Sequence, residues 1–290
     1  MNILKAIIFG IIEGITEWLP ISSTGHLILA EKLIHFSNVS ENFWNAFEVV
    51  IQLGAILAVV VLYFNKIWPF KMSKRNEKHG KESSGKKRIS IDKSIIRLWG
   101  KIIVSCIPAV IIVLLHLDDL AEQKFYNPLC ISIMLILVGI LFIIVENKNS
   151  NRKTKPRVNS IEEITYKDAF IIGIFQVIAA IFPGTSRSGA TIIGALMIGI
   201  SRVCAAEYTF YLAIPAMLGA SLLKIKSILA FSESELVILL VGTIVAFVVS
   251  MFIIKFLMNY IKKHDFKVFG YYRIALGVLI LILMLATKTF

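Results

Sequence analysis

The chain has 290 residues, is 57% hydrophobic with a mean hydropathy of +0.78, and carries a formal net charge of +12. Those values exclude an ordinary water-soluble domain and point to a protein that crosses a membrane several times. The positive charge sits in short segments between apolar runs, so it reads as a topology signal and not as a nucleic-acid groove.

The first apolar segment, 3–34, is interrupted from Pro20 to Gly25 and carries Glu13, Glu17, Ser22, Ser23, Thr24 and His26. Ionisable groups at membrane depth are costly and mark a functional hypothesis. Glu13 and Glu17 are four apart, so on a helix they share a face and repel by about 0.2–0.5 kcal/mol even in water. Keeping both there predicts a cation between them. Pro20 ends this helix, and Ser22, Ser23 and Thr24 are good N-cap residues for a second helix starting near Gly25. A helix start offers free N–H groups and a positive dipole end, which suits phosphate. The N-terminus has one early lysine, Lys5, and no small-residue cleavage site, so no removable signal peptide is expected.

Six apolar runs of spanning length follow, near 47–64, 98–117, 128–145, 205–223, 236–257 and 268–286. Between the third and fourth, 168–200 is a second broken segment, interrupted from Pro183 to Gly189. Each broken segment reads as a re-entrant helical hairpin, which a membrane tolerates where irregular backbone is buried in protein or lines a cavity. Residues 66–97 hold eleven Lys/Arg against three acids, 147–167 hold six, and 255–273 add Lys255, Lys262, Lys263, Lys267 and Arg273. The alternate loops 118–127 and 224–235 are poorer, so the positive-inside rule puts the three rich loops in the cytoplasm and both termini outside. The hairpins then enter from opposite faces. The stretch 73–93 is rich in Lys, Ser and Gly and is expected to be a solvated, mobile loop. Cys106, Cys130 and Cys204 match neither a zinc pattern nor a disulfide framework and read as small packed residues, while Trp18, Trp44, Trp68 and Trp99 read as interface anchors.

An internal repeat organises these elements. Gly10, Glu13 and Pro20 precede Ser22-Ser23-Thr24-Gly25, and Gly173, Gln176 and Pro183 precede Thr185-Ser186-Arg187-Ser188-Gly189. Downstream, Gln52-Leu53-Gly54 corresponds to Met217-Leu218-Gly219. The expected fold is an all-α polytopic membrane protein, with six transmembrane helices plus two re-entrant helical hairpins in an inverted-topology repeat. It forms one integral membrane domain over 1–290, with the first repeat at about 1–117, the second at about 128–286, and a cytoplasmic loop at 66–97. Inverted repeats with broken helices place their site near the midplane, where the helix ends meet.

An arginine deep in an apolar hairpin needs an anionic partner, and the Arg187 guanidinium suits bidentate phosphate contact. It has a plainer reading as a structural partner of Glu13 or Glu17. Ser22, Ser186 and Ser188 serve either as helix caps or as ligand contacts. His26 lies three residues after Ser23, so the two could meet around the first turn of a helix. Glu48 and Gln52 share a face of the first span and either support the site or hydrogen-bond another helix.

Taken together, Glu-Gly-x-Thr-Glu-x-Leu-Pro-x-Ser-Ser-Thr-Gly-His at 13–26, Phe-Glu-Val-Val-Ile-Gln-Leu-Gly at 47–54 and Pro-Gly-x-Ser-Arg-Ser-Gly-Ala-Thr at 183–191 resemble the undecaprenyl-diphosphate phosphatase family of BacA type, the bacitracin-resistance proteins. The resemblance covers the whole chain. It implies hydrolysis of undecaprenyl diphosphate to the monophosphate and inorganic phosphate, recycling the lipid carrier of cell-wall synthesis. It also implies a divalent metal and a site facing the outer side of the bacterial inner membrane. The family's acidic pair falls on Glu13 and Glu17, its serine and histidine on Ser23 and His26, and its arginine on Arg187. With Mg²⁺ or Ca²⁺ at Glu13 and Glu17, Ser23 is the expected nucleophile and His26 or Glu17 takes its proton; water activated by Glu17 is the rival. Ser22, Thr24, Thr185, Ser186, Ser188 and Thr191 are the expected substrate contacts. An inverted-repeat transporter or flippase of a polyprenyl phosphate is the alternative. A type-2 phosphatidic-acid phosphatase is rejected, since the histidine that family needs after Ser186-Arg187 is absent until His264. The sequence leaves oligomeric state open.

Overall fold

A proline disfavours helical backbone at the residue before it and cannot donate in a helix interior. Both broken segments obey this in a computed structural model of the chain, which describes residues 1–73, 88–151, 155–224 and 228–287. Helix α1 (Asn2–Thr16) stops one residue short of Glu17, and α2 (Ser23–Ile34) starts after Pro20. Helix α8 (Tyr166–Ile181) stops at Phe182, and α9 (Arg187–Met197) starts after Pro183. Both second helices are capped alike. Ser22 and Ser186 hold positive φ (75° and 67°), and their hydroxyls accept from the amides of Gly25 and Gly189 at 3.3 and 3.2 Å. The cap thus lies one to two residues earlier than Ser23 or Thr24.

Twelve helices occur among the described residues. Six are long and apolar enough to cross a membrane, as a multi-pass membrane protein requires: α3 (Phe43–Leu62), α5 (Lys93–Leu114), α7 (Pro128–Ser150), α10 (Arg202–Leu223), α11 (Glu233–Tyr260) and α12 (Lys267–Thr287). Polar side chains cap the starts of three of these spans. Asp92 accepts from Ser94 N, Asn127 from Cys130 N, and Ser232 forms a capping box with Glu235. Short helices α4 (Phe64–Ile67) and α6 (Leu117–Phe125) join spans. One departure from the all-helical expectation is a two-stranded antiparallel ribbon, β1 (Phe70–Ser73) with β2 (Arg88–Ile91), with Phe70 opposite Ile91. Alternating apolar residues at both edges of the basic loop suit pairing; the rest of that loop, 74–87, lies outside the described residues.

Close helix contact explains the glycines of the repeat. A methyl group at Gly10 on α1 would lie 2.6 Å from the Gly242 carbonyl oxygen of α11, and one at Gly173 on α8 would lie 2.4 Å from the Ser105 carbonyl oxygen of α5. Each broken segment is therefore pressed against a long span. The tryptophans diverge from a common anchoring role. Trp18 is fully buried, edge-on to Phe210 with ring centroids 5.2 Å apart, because it sits between the two breaks instead of at a surface. Trp44 packs in a cluster with Phe9, Phe36 and Phe47, and Trp99 donates to the Ile67 carbonyl. Only Trp68 is half exposed, stacked on Phe64, as an anchor would be.

A second polar fastening lies away from the breaks. Glu146 on α7 is fully buried, receives Arg202 of α10 through both Nε and Nη2 at 2.6–3.0 Å, and accepts from the Phe266 amide just before α12. Three elements meet at one carboxylate. Glu146→Ala should lower unfolding stability by about 3 kcal/mol, the low end for breaking a buried pair, because Arg202 keeps partial access to solvent. Denaturant titration of the protein in detergent micelles would show it.

Candidate active site

The two breaks, far apart in sequence, wall one cavity of about 220 Å³. Its polar wall is Glu17, Ser23, Thr24, Gln52, Ser186 and Arg187, and its apolar wall includes Ala179, Pro183, Ala216 and Met217. Larger hollows of about 380 and 360 Å³ exist at loop ends, but neither is lined by a residue of the breaks. Chemistry, not size, selects the smaller one.

Glu17 is its hub. Arg187 Nη2 donates to Glu17 Oε1 at 2.5 Å, and the Ser23 hydroxyl donates to Oε2 at 2.8 Å. The Ser188 hydroxyl adds a bond to the Glu17 backbone carbonyl at 3.1 Å. The plainer reading of Arg187, an ion pair with a repeat-one glutamate, is therefore present, and Glu17 is the partner. The same guanidinium faces the cavity. Its other bonds among the described residues, to Met217 Sδ at 3.4 Å and the Thr209 carbonyl at 3.5 Å, are long, and an arginine has five N–H donors to offer. Helices α2 and α9 both start at this cavity, so two positive dipole ends and a guanidinium converge where an anion would sit.

One turn before Glu17, Glu13 is fully buried, and neither of its carboxylate oxygens has a hydrogen-bond partner among the described residues. An unpartnered buried carboxylate is costly. No group of three or more His, Cys, Asp or Glu side chains poised to hold a metal occurs among the described residues.

The other expected contacts divide by position. Thr24, Ser186 and Gln52 line the cavity. Glu48 takes a hydrogen bond from the Tyr126 hydroxyl at 3.4 Å. Ser22 is buried as a cap. Thr185 is buried with an unpartnered hydroxyl. Thr191 is fully buried and donates to the Arg187 carbonyl at 2.9 Å, off the cavity wall.

His26 is placed differently from expectation. Its Nδ1 bonds the Ser22 carbonyl at 2.7 Å and its Nε2 bonds the Tyr272 hydroxyl at 2.7 Å, while Ser23 turns to Glu17. Helical side chains lean back toward the helix N-terminus, which carries the ring to the Ser22 carbonyl instead of across to Ser23. His26 is not among the residues lining the cavity.

Arg273 is the residue that sequence reasoning missed. Its charge was counted with the cytoplasmic basic cluster. In the structure it is fully buried in α12, donating to the Pro20 carbonyl at 3.2 Å and to the Gly184 and Thr185 carbonyls at 2.8 and 2.9 Å. It stitches the two breaks together from behind. The one available signal was its position inside the edge of an apolar run, six residues beyond Lys267.

Comparison with known proteins shows the family. A family model described as bacitracin resistance protein BacA matches residues 6–279. The chain is 56% identical over 283 residues to an undecaprenyl-diphosphatase of Desulfitobacterium hafniense, covering 97% of this chain and 96% of the relative. It is 56% identical to undecaprenyl-diphosphatase 1 of Clostridium acetobutylicum, covering 98% of each, and 54% identical to an undecaprenyl-diphosphatase of Acetivibrio thermocellus, covering 99% and 100%.

Arg273→Lys keeps the charge but cannot span three carbonyls from two loops. Amide hydrogen exchange over 17–25 and 182–189 should accelerate by about tenfold or more, ~1.4 kcal/mol of local stability, while the span interiors keep their protection. Hydrogen-exchange mass spectrometry would read it.

Proposed function

Because the chain belongs to the bacitracin resistance protein BacA family, we propose that it is an integral membrane hydrolase that cleaves undecaprenyl diphosphate to undecaprenyl phosphate and inorganic phosphate. It thereby returns the carrier lipid to cell-wall synthesis and supports resistance to bacitracin. The observation that carries this reading is the chain Ser23–Glu17–Arg187 at a cavity where two helix starts meet. The alternative, a polyprenyl-phosphate flippase, is not favoured, since the relatives are named for hydrolysis.

Each residue then has a task. Ser23 Oγ attacks the β-phosphorus as its proton passes to Glu17 Oε2, to which it is already bonded. The bond from the β-phosphorus to the bridging oxygen breaks, and undecaprenyl phosphate leaves. Glu17 passes the serine proton to the departing undecaprenyl phosphate; it then takes a proton from the attacking water and returns it to Ser23 Oγ as the phosphorus–Oγ bond breaks, releasing inorganic phosphate. Arg187, Thr24, Ser186 and the starts of α2 and α9 bind the phosphoryl oxygens and stabilise charge that grows on them. Glu13 and Glu17 would hold Mg²⁺ or Ca²⁺; the unpartnered Glu13 carboxylate fits a cation, and a carboxylate has about four acceptor sites, so Glu17 has room for one beside Ser23 and Arg187. When bound, such an ion neutralises diphosphate charge and relieves the repulsion between the two glutamates.

The same reading places the chain in the inner membrane with its site open to the outer side, and makes the two broken segments re-entrant hairpins of an inverted repeat. Its support is the matched caps at Ser22 and Ser186, the matched close approaches at Gly10 and Gly173, and the loop charges. An impermeant thiol reagent applied to intact cells should leave a cysteine placed at 66–97 unlabelled.

Rapid quenching with β-³²P-labelled substrate should trap label on Ser23. Ser23→Ala should lose nearly all turnover while still binding the diphosphate. If no label is trapped and Ser23→Ala keeps at least about a tenth of the rate, water is the nucleophile. Arg187→Lys should lose about 10²-fold or more in kcat, by analogy with deleting one oxyanion donor. Glu13→Gln should shift the metal titration of phosphate release to higher concentration, because it removes a ligand that touches neither Ser23 nor Arg187.

A further inference from the structure

We infer that His26 and Tyr272 form a single positioning unit that aims Ser23, and that His26 is not the acceptor of the serine proton. The inference rests on the hydrolase reading above and assigns work inside that same site. A backbone carbonyl can only accept, so the 2.7 Å bond to the Ser22 carbonyl puts a proton on His26 Nδ1. In the neutral ring Nε2 is then an acceptor, and it takes the Tyr272 hydroxyl proton at 2.7 Å. The two rings lie nearly parallel, 4° apart with centroids separated by 5.6 Å. Both ring nitrogens are spent, and the Ser23 hydroxyl is bonded to Glu17.

The strut ends on a strained residue. Ser22 holds φ 75° and ψ 99°, and a non-glycine residue there costs roughly 1–3 kcal/mol unless its surroundings over-determine it. Its hydroxyl is fixed on Gly25 N and its carbonyl on His26, and the Pro20 carbonyl two residues earlier is held by Arg273. Tyr272 and Arg273 are adjacent on α12, so one turn of that helix grips the first break at two points. Ser23 is the next residue in the chain, and the direction of its hydroxyl follows from where Ser22 is held.

The second break supplies an internal control. Ser186 has the same backbone strain and the same cap, yet the residue four on, in the place of His26, is Ala190. Its nitrogen simply bonds the Ser186 carbonyl at 2.9 Å. The residue after Ser186 is Arg187, whose long side chain is tethered by its own ion pair to Glu17. The extra strut occurs only in the break whose next residue carries a short hydroxyl that must be aimed by the backbone.

The test is a double-mutant cycle on the full-length protein in detergent, with Tyr272→Phe, His26→Gln and the pair. Tyr272→Phe removes one oxygen from a half-exposed ring. It should lower kcat about tenfold with KM within about twofold, since small misplacement of a reacting group is expensive and substrate contacts are untouched. The double variant should be no slower than His26→Gln, because both act through one contact. A kcat for Tyr272→Phe within about twofold of the parent, or losses that multiply, would overturn the unit. Nitrogen-15 NMR of the imidazole needs no turnover. It should show the Nδ1–H tautomer in the parent and lose that fixed signature in Tyr272→Phe, whereas an Nε2–H tautomer in the parent overturns the geometry. If the parent releases no phosphate, the hydrolase reading fails, and the tautomer result still decides whether the strut exists.

Discussion

The ion pair between Arg187 and Glu17 is the constraint on which the rest depends. Taking two charges out of water costs several kcal/mol per ion, and only close geometry with further hydrogen bonds repays it. Here the repayment comes from partners on both breaks, with Ser23 on the second carboxylate oxygen and Ser188 on the backbone carbonyl. The pair cannot form unless α1 and α9 are brought end to end. The fold does this by pressing each broken segment against a span through a glycine, and by running Arg273 behind both breaks.

That arrangement leaves a deliberate imbalance. Glu17 is neutralised by Arg187, Arg273 has only carbonyls for partners among the described residues, and two helix starts add partial positive charge. Against this stands Glu13, buried with no partner of its own. Neither Glu13 nor Arg273 lines the cavity; its own wall, with Arg187 and two helix starts, suits an anion. Backbone strain at Ser22 and Ser186 belongs to the same economy, since positive-φ serines persist only where neighbours hold them.

The two breaks share a construction but not a duty. Equivalent positions carry Ser23 and Arg187, which the proposed mechanism uses to attack and to bind, and Glu13 and Gln176, a carboxyl and an amide. Symmetry supplies two capped helix starts facing one cavity. On the proposed mechanism, divergence at single positions puts a nucleophile on one side of the cavity and a clamp on the other.

How much of this could be read from the chain follows from the range of the interactions. Pro20 and Pro183 end helices through their own covalent geometry, and long apolar runs reveal spans through transfer energy, so both breaks and all six spans were legible. Glu13, Glu17, Ser23 and Arg187 stood out because charge in an apolar segment is costly wherever the chain folds. Pairing is another matter. Whether Arg187 meets Glu13 or Glu17, and whether Ser23 turns to His26 or Glu17, depends on side-chain directions and on helices up to 170 residues apart. Helical spacing suggested a Ser23–His26 contact, and a carbonyl one residue before Ser23 took the imidazole instead. Arg273 looked like one more cytoplasmic charge until tertiary packing carried it to two loops, 88 and 253 residues away, that needed a donor. Local chemistry determined which groups this protein would have to satisfy, and only the packed helices decided which partner satisfied each.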